Sequence, residues 1–430
     1  MSALIRIYQY PSSNLVKCAV TLFVCSVLSI ASWSCQAYVQ DVSNPINTIV
    51  DSDLNTEARL PLLYSSLSGY FGQYWRFASL YLAMLSDEFK TVNGISTNAV
   101  SVLYQEMDNG IPFPERTNRE WGHLGATRFH AQDIIDRAAK IQFTQDSNRL
   151  KCLYLGYFHL GLVQHHQAAF WGLTPRRGGG VLLGGPFIPA SAMHDTAIRN
   201  FTQALQFARN DYERRLVYSF LARIHLIEGR REECLRTAQL GLREGDAPLT
   251  LYYPETSRNI WSDESGPNHQ VIPAPRYSAF VEADPAEAGR IPLSRGMNPV
   301  PNRTMPYFVQ NKYNSDTSPI DLITWQENSL MIAEMLVIQS NLAAALVEVN
   351  RVRASVPRLP GGAALSMRTI TNLDSIKIER QKQLFATGLR IIDQRRFNDW
   401  HFPAALRDLA WYHLPIAQSE RNFNPNLTGQ

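Results

Sequence analysis

Two stretches of this chain set small residues at the same interval inside helix-patterned sequence, and that interval limits what the chain can fold into. In the run from Leu221 to Cys234, Ala222 and Cys234 stand 12 positions apart (234 − 222 = 12), and Ala333 and Ala345 repeat the spacing (345 − 333 = 12). A third unit begins at Leu155-Gly156, has its second helix at Ala197, Phe201 and Ala204, and is split by the loop 172–192. Small residues in phase let paired helices cross closely, and each hairpin buries a face that its neighbour leaves open. Gly229 sits between the two helices of one unit and suits a left-handed helix terminus.

The expected fold is therefore all-α, a tetratricopeptide-like superhelix with repeats at about 150–245 and 320–355. Upstream, Leu60, Leu63, Tyr64, Leu67 and Tyr70-Phe71 recur at steps of three and four, and the pattern continues over 74–89. Residues 119–141 read as another helix, with Trp121, Leu124, Phe129, Ile134, Ile135 and Ala138 inward. Residues 248–318 break the pattern. They are rich in Pro, Gly, Asn, Ser and Asp, with isolated aromatics, and proline at that density forbids long helices. This insertion reads as short strands and turns packed on the helical scaffold, within one domain spanning 36–430.

Residues 1–35 have the order of an export signal: Arg6 and Lys17, an apolar run over 18–30, then Ala31, Ser32 and Ser34 before Cys35. The run is shorter than the ~20 apolar residues that a membrane span needs. Cys35 is the candidate lipid-attachment site, although Ser32 replaces the usual Leu three residues before it. Cleavage after Ala37 is the rival reading. Once Cys18, Cys25 and Cys35 are assigned to the signal, Cys152 and Cys234 remain in the body. Export permits a disulfide between them, but their apolar helical settings read as buried thiols. A net charge of +3 on 430 residues argues against nucleic acid as a partner.

The sequence carries no GxSxG, HExxH or Walker lysine, so no enzyme, cofactor or metal is expected. The glycine-rich run from Arg176 to Gly185 lacks the Lys-Ser/Thr of a phosphate loop and reads as a flexible crossing. His165 and His166 are adjacent and so point to different sides of a helix. Asp87-Glu88 reads as a solvated helix end. Glu379, Arg380, Arg390 and Asp393 sit among apolar residues and must be paired across helices, because an unpaired buried charge is costly. Loop aromatics suit sugar stacking, which makes Trp261, Tyr277, Tyr307 and Tyr313 candidate ligand contacts.

The last third supplies landmarks in a fixed order. Lys312-Tyr313 and Ile320-Asp321-Leu322 come first, followed by Ala333-Glu334 and the helix ending Asn350-Arg351-Val352-Arg353. Next come Glu379-Arg380, Gly388-Leu389-Arg390, Asp393 and Arg396, and finally Leu414-Pro415-Ile416, Glu420 and Asn424-Pro425-Asn426. This order resembles the SusD/RagB family of outer-membrane nutrient-binding lipoproteins. Thr387 stands where that family usually has an acidic residue before the glycine. The resemblance implies a cell-surface lipoprotein anchored in outer-membrane lipid, binding oligosaccharide or peptide as the lid of a TonB-dependent SusC-like importer. It adds Phe89 and Tyr104, at the early helix end, to the candidate ligand contacts. Two other functions remain open at this stage: a periplasmic tetratricopeptide-type adaptor that holds proteins, and a glycan hydrolase.

Overall fold

The longest helix begins where Pro61 fixes the first turn and ends where Ser86 turns extended, so α1 runs Leu60–Leu85. In the computed structural model, residues 51–91, 99–265, 270–296, 307–369, 371–402 and 408–427 are described. The chain divides into two compact units, 1–54 and 55–430. In the first, only the short turn Asp51–Leu54 is described, and the signal and Cys35 lie outside the described residues. All that follows concerns the second unit.

Its helices after α1 are α2 (Ala99–Asp108), α3 (Asn118–Ala138), α4 (Asp146–Phe170), α5 (Ala190–Phe207), α6 (Asp211–Ile227), α7 (Arg231–Gln239), α8 (Ile260–Glu264) and α9 (Pro275–Ala283). The remainder are α10 (Trp325–Ile338), α11 (Leu342–Ala354), α12 (Leu373–Gln383), α13 (Arg390–Phe397) and α14 (Gln418–Phe423). Side-chain caps fix several starts: Asn210 accepts from the Glu213 amide, Thr324 from Glu327 and Asn341 from Ala344. Asn372 and Ser375 cap α12 reciprocally.

The helices stack as a series of neighbours. α1 packs on α3, α3 on α4, α4 on α5, α5 on α6, α6 on α7, α7 on α10, and α10 on α11 and α12. This is the expected repeat superhelix. Ala222 and Cys234 meet in one buried cluster with Met331 and Met335, and Ala333 and Ala345 are fully buried. Between α4 and α5 the close contact falls at Gly161, where a Cβ would stand 2.8 Å from the Phe201 ring. Gly229 takes φ +68° at the end of α6. Cys152 and Cys234 are both buried free thiols.

The strands are short and come in pairs that tie the insertion to this scaffold. β6 (Val271–Pro273) pairs antiparallel with β1 (Phe89–Thr91), just beyond α1, and β5 (Leu249–Leu251) pairs with β9 (Ile320–Ile323), just before α10. β7 (Leu293–Arg295) pairs with β8 (Phe308–Gln310), and β2 (Trp171–Gly172) pairs parallel with β10 (Leu414–Pro415).

Three sequence expectations differ locally. Phe129 is exposed, because the buried stripe of α3 runs through Leu124, Thr127, Ala131 and Ile134. The glycine-rich run is an ordered hairpin, β3 (Gly179–Val181) against β4 (Phe187–Pro189), with β3 buried throughout and β4 buried at Phe187. Asp87 and Glu88 are buried: β1 carries the chain inward directly after α1, so this helix end never meets solvent.

Candidate ligand-binding groove

Four of the six aromatic candidates come together, but in the interior. Phe89 lies edge-on to Trp261 at 5.0 Å and stacks on Phe385 at 5.6 Å. Tyr277 approaches Phe385 at 4.7 Å, and Tyr313 approaches Trp261 at 5.7 Å. Their polar ends are satisfied within the protein: Trp261 Nε1 donates to Ser79 Oγ at 2.9 Å and the Tyr313 hydroxyl to the Ala386 carbonyl at 2.9 Å. Tyr104 is buried beside Tyr81, and Tyr307 sits in a small cluster with Ile272 and Val309. None of the six presents a ring face to solvent. This corrects the expectation that they form a sugar platform. Pairing of β6 with β1 folds the insertion back over the end of α1, and its aromatics become core.

The four charged residues of the C-terminal third are paired across elements. Glu379, on α12, accepts from Arg290, Arg353 and Arg368 at 2.7, 2.5 and 2.7 Å. Arg380 reaches Asp393 on α13 at 3.0 Å, and Arg396 bonds both Asp393 and Glu334. Arg390 reaches back to Asp87 at 2.8 Å, and Arg276 joins the same carboxylate. Burial works to raise the Glu379 pKa, but Arg290 and Arg353 overrule it and hold the carboxyl down at about 2. Glu88 is the contrary case. Burial pushes it up to about 7 against a hydrogen bond from the Ala386 amide. The tight turn that brings this amide in depends on Gly388, whose φ is +75° and where a Cβ would lie 2.6 Å from the Ser79 carbonyl oxygen.

The two adjacent histidines are also sealed. His165 Nδ1 faces His194 Nε2 at 3.3 Å, and His166 Nδ1 faces the Tyr74 hydroxyl at 3.2 Å. They do not converge, and among the described residues no three His, Cys, Asp or Glu side chains gather as metal ligands.

The open, polar and aromatic surface lies elsewhere. A groove of about 500 Å³ runs between the first half of α1 and the segment after β5, lined by Ser65, Ser68, Gly69, Tyr70, Gln73 and Tyr252, among others. On α1, Ser65 and Gly69 fall on the face opposite Leu63, Leu67 and Phe71, and Ser68 and Tyr70 flank that buried stripe. Nothing lies within 4 Å of a Cβ built at Gly69, so the helix backbone itself faces the groove. The chain just beyond β5 sets the other wall: Tyr253 is buried against Gly72, and Tyr252 points out, 78% exposed. The ring of Tyr70 is propped by stacking on His130 at 4.9 Å and 14°. An exposed ring beside hydroxyls and an amide can stack on the C–H face of a sugar and bond its hydroxyls. Sequence reasoning missed these residues. The signal was present in Ser65-Ser66-Leu67-Ser68-Gly69-Tyr70, a run of small polar side chains on the non-core side of a helix.

No family model and no curated protein sequence matches the chain. Solved structures do. A SusD-superfamily protein from Bacteroides thetaiotaomicron superposes with a TM-score of 0.66 at 15% identity, over 85% of this chain and 98% of its own. A putative sugar-binding protein from Bacteroides vulgatus gives 0.65 at 16%, over 89% and 98%. A laminarin-binding SusD-like protein gives 0.62 at 14%, over 84% and 96%. The chain has the SusD-like fold over the 84–89% of its length that these structures cover.

Proposed function

We propose that this chain is a nutrient-binding protein of the cell surface, which captures an oligosaccharide noncovalently in the groove between α1 and Tyr252. The observation that carries the reading is the shared fold over nearly the whole length of proteins described as sugar- and laminarin-binding. The groove supports it, because Tyr252 offers an exposed ring and Ser65, Ser68 and Gln73 offer hydrogen-bonding partners beside it. In this reading the protein works as the lid of a TonB-dependent SusC-like importer, held to the outer membrane through lipid on Cys35. It carries out no chemistry on its cargo.

Titration of the purified chain with neutral and charged oligosaccharides tests the first claim. Saturable binding that Tyr252→Ala weakens, with an unchanged melting curve, supports it. Binding of peptides and of no glycan overturns it. Purification from native membranes tests the second: a co-purifying barrel transporter supports the lid, and its absence from a stable, tethered chain argues against it. Mass measurement of the mature N-terminus separates acylated Cys35 from a Tyr38 terminus.

One observation favours a second reading. A groove of about 560 Å³ lined by α7, α10 and α11 includes Ile332, Leu336 and Val347, the last of these 58% exposed. An adaptor of the tetratricopeptide type would hold a protein partner there. Capture of a protein that survives Tyr252→Ala but is lost on Val347→Asp would favour it.

A further inference from the structure

Arg76 stands one helical turn beyond Gln73 on α1, about 4.5 Å further along the axis. Its Nη1 donates to the backbone carbonyl of Arg258 at 2.8 Å, and Arg258 directly follows the groove-lining Ser257. Arg76 therefore stands just past one end of the groove. Two more guanidinium groups gather there. The Arg76 and Arg119 guanidinium carbons lie 4.7 and 3.5 Å from the Phe77 ring centroid, and the Arg258 side chain is 51% exposed nearby.

The charges at this end are not evenly answered. Arg119 has Glu120 at 2.8 Å, and Arg258 has Asp263 at 3.0 Å and Asp316 at 3.8 Å. Arg76 is half-buried, makes no ion pair with any described carboxylate, and has its Nε buried without an acceptor. A bond to one neutral carbonyl does not offset that charge. Burial, and then repulsion from Arg119, pulls the Arg76 pKa down, so this guanidinium sits at a cost that a bound anion would relieve. The groove itself is lined by hydroxyls, the Gln73 amide, tyrosines, Leu251, Pro254 and two glycines, and no charged side chain is among these described lining residues.

We infer that Arg76 is the anion-recognition point of this groove and that the cargo is an acidic glycan, whose carboxylate or sulfate ester is held by Arg76 beside the Tyr252 platform. With Nη1 held by the Arg258 carbonyl and Nε buried, Nη2 is the donor left to make a charge-assisted contact with either anion. This inference rests on the glycan-binding reading above and narrows it to a substrate class.

Calorimetric titration of the full mature chain tests it with four probes: oligogalacturonides, sulfated galactan oligomers, neutral gluco-oligomers and an acidic peptide. We expect one of the two charged glycans to bind at least about tenfold more tightly than the neutral oligomers, with an advantage that falls as salt rises. The one that binds identifies the anion as carboxylate or sulfate ester. Arg76→Gln should abolish the advantage, and Arg76→Lys, which keeps the charge and loses the bond that holds the side chain to the Arg258 carbonyl, should keep part of it. If Arg76→Gln does not fold, Arg76→Lys and the salt dependence decide the matter. Equal binding of neutral and charged glycans overturns the inference and leaves the glycan reading intact, as does charged-glycan binding unaffected at Arg76. Binding of the peptide alone, or of no glycan, overturns both.

Discussion

The two halves of α1 have opposite surroundings. From Ala78 to Leu85 every residue is buried, and the helix runs on into Asp87 and Glu88, which Arg390, Arg276 and the Ala386 amide hold inside. From Ser65 to Tyr70 only Leu67 is fully buried, and the helix opens onto a groove whose far wall is an exposed tyrosine. In the sealed half, buried carboxylates are matched by arginines from several elements. At the end of the open half, Arg76 is matched by none that is described. The difference separates two uses of charge. Where partners are internal, the charge fixes one arrangement of the helices. Where a partner is missing beside an open surface, the charge is available to a ligand.

The largest effect should come from breaking the sealed half. Glu379→Gln leaves Arg290, Arg353 and Arg368 around a neutral amide, with Glu287 the remaining carboxylate at Arg290 and Arg353. Removing one partner from a buried cluster costs about 3–5 kcal/mol. We expect chemical denaturation of this variant to shift by that amount with glycan affinity, measured where it is still folded, unchanged. Arg390→Ala strips Asp87 of its bidentate partner and should also destabilise, by less, because Arg276 remains.

The same half should show two opposed pH dependences. Glu379 is held at about 2 in the folded chain, below its ordinary 4.5, so the folded state releases this proton more readily than the unfolded one. Its contribution is complete above pH 4.5 and is lost as pH falls toward 2, on the order of 3 kcal/mol in all. Glu88, raised to about 7, works in reverse: the folded state keeps the proton, and stability falls as pH climbs from 4.5 to 7. Glu264, also raised to about 7, and buried histidines held low act over the same range, so the test is the difference between the wild-type chain and Glu88→Gln. A wild-type-minus-variant stability that declines from pH 4.5 to 7 would sharpen the comparison, and a flat difference would break it.

How much of this was legible beforehand depended on whether the information was local. Helix pairs show in sequence because small residues at fixed spacing and caps such as Asn210 and Asn341 act within a few positions. That Glu379 and Arg390 require partners also follows from their apolar neighbours, but Arg290, Arg353 and Asp87 as those partners do not, since they lie up to 303 positions away. The aromatics misled for the same reason. Trp261 and Tyr277 look like exposed loop residues until the pairing of β6 with β1, 182 residues apart (271↔91 is 180, 273↔89 is 184), turns them inward. Tyr252 and Tyr253 are adjacent and chemically identical, and only the course of the chain beyond β5, over Gly72 of α1, decides which one meets solvent.

The next effect contrasts two glycines on the two sides of the molecule. Gly388 has positive φ and a backbone oxygen 2.6 Å from the site of any Cβ, so Gly388→Ala should cost about 1–3 kcal/mol and loosen the turn over Glu88. Gly69 has helical backbone and open space, so Gly69→Ala should stabilise the chain by about 1 kcal/mol in thermal melts. A rise in melting temperature together with weaker glycan binding would place the cargo against that bare stretch of helix. The smallest stability effect belongs to Tyr252→Ala. A side chain 78% exposed contributes within about 0.5 kcal/mol to folding, but losing a stacked ring should weaken binding about tenfold. Should Tyr252→Ala lower stability and leave affinity untouched, the open half of α1 would be structural like the sealed half, and the distinction between them would fail.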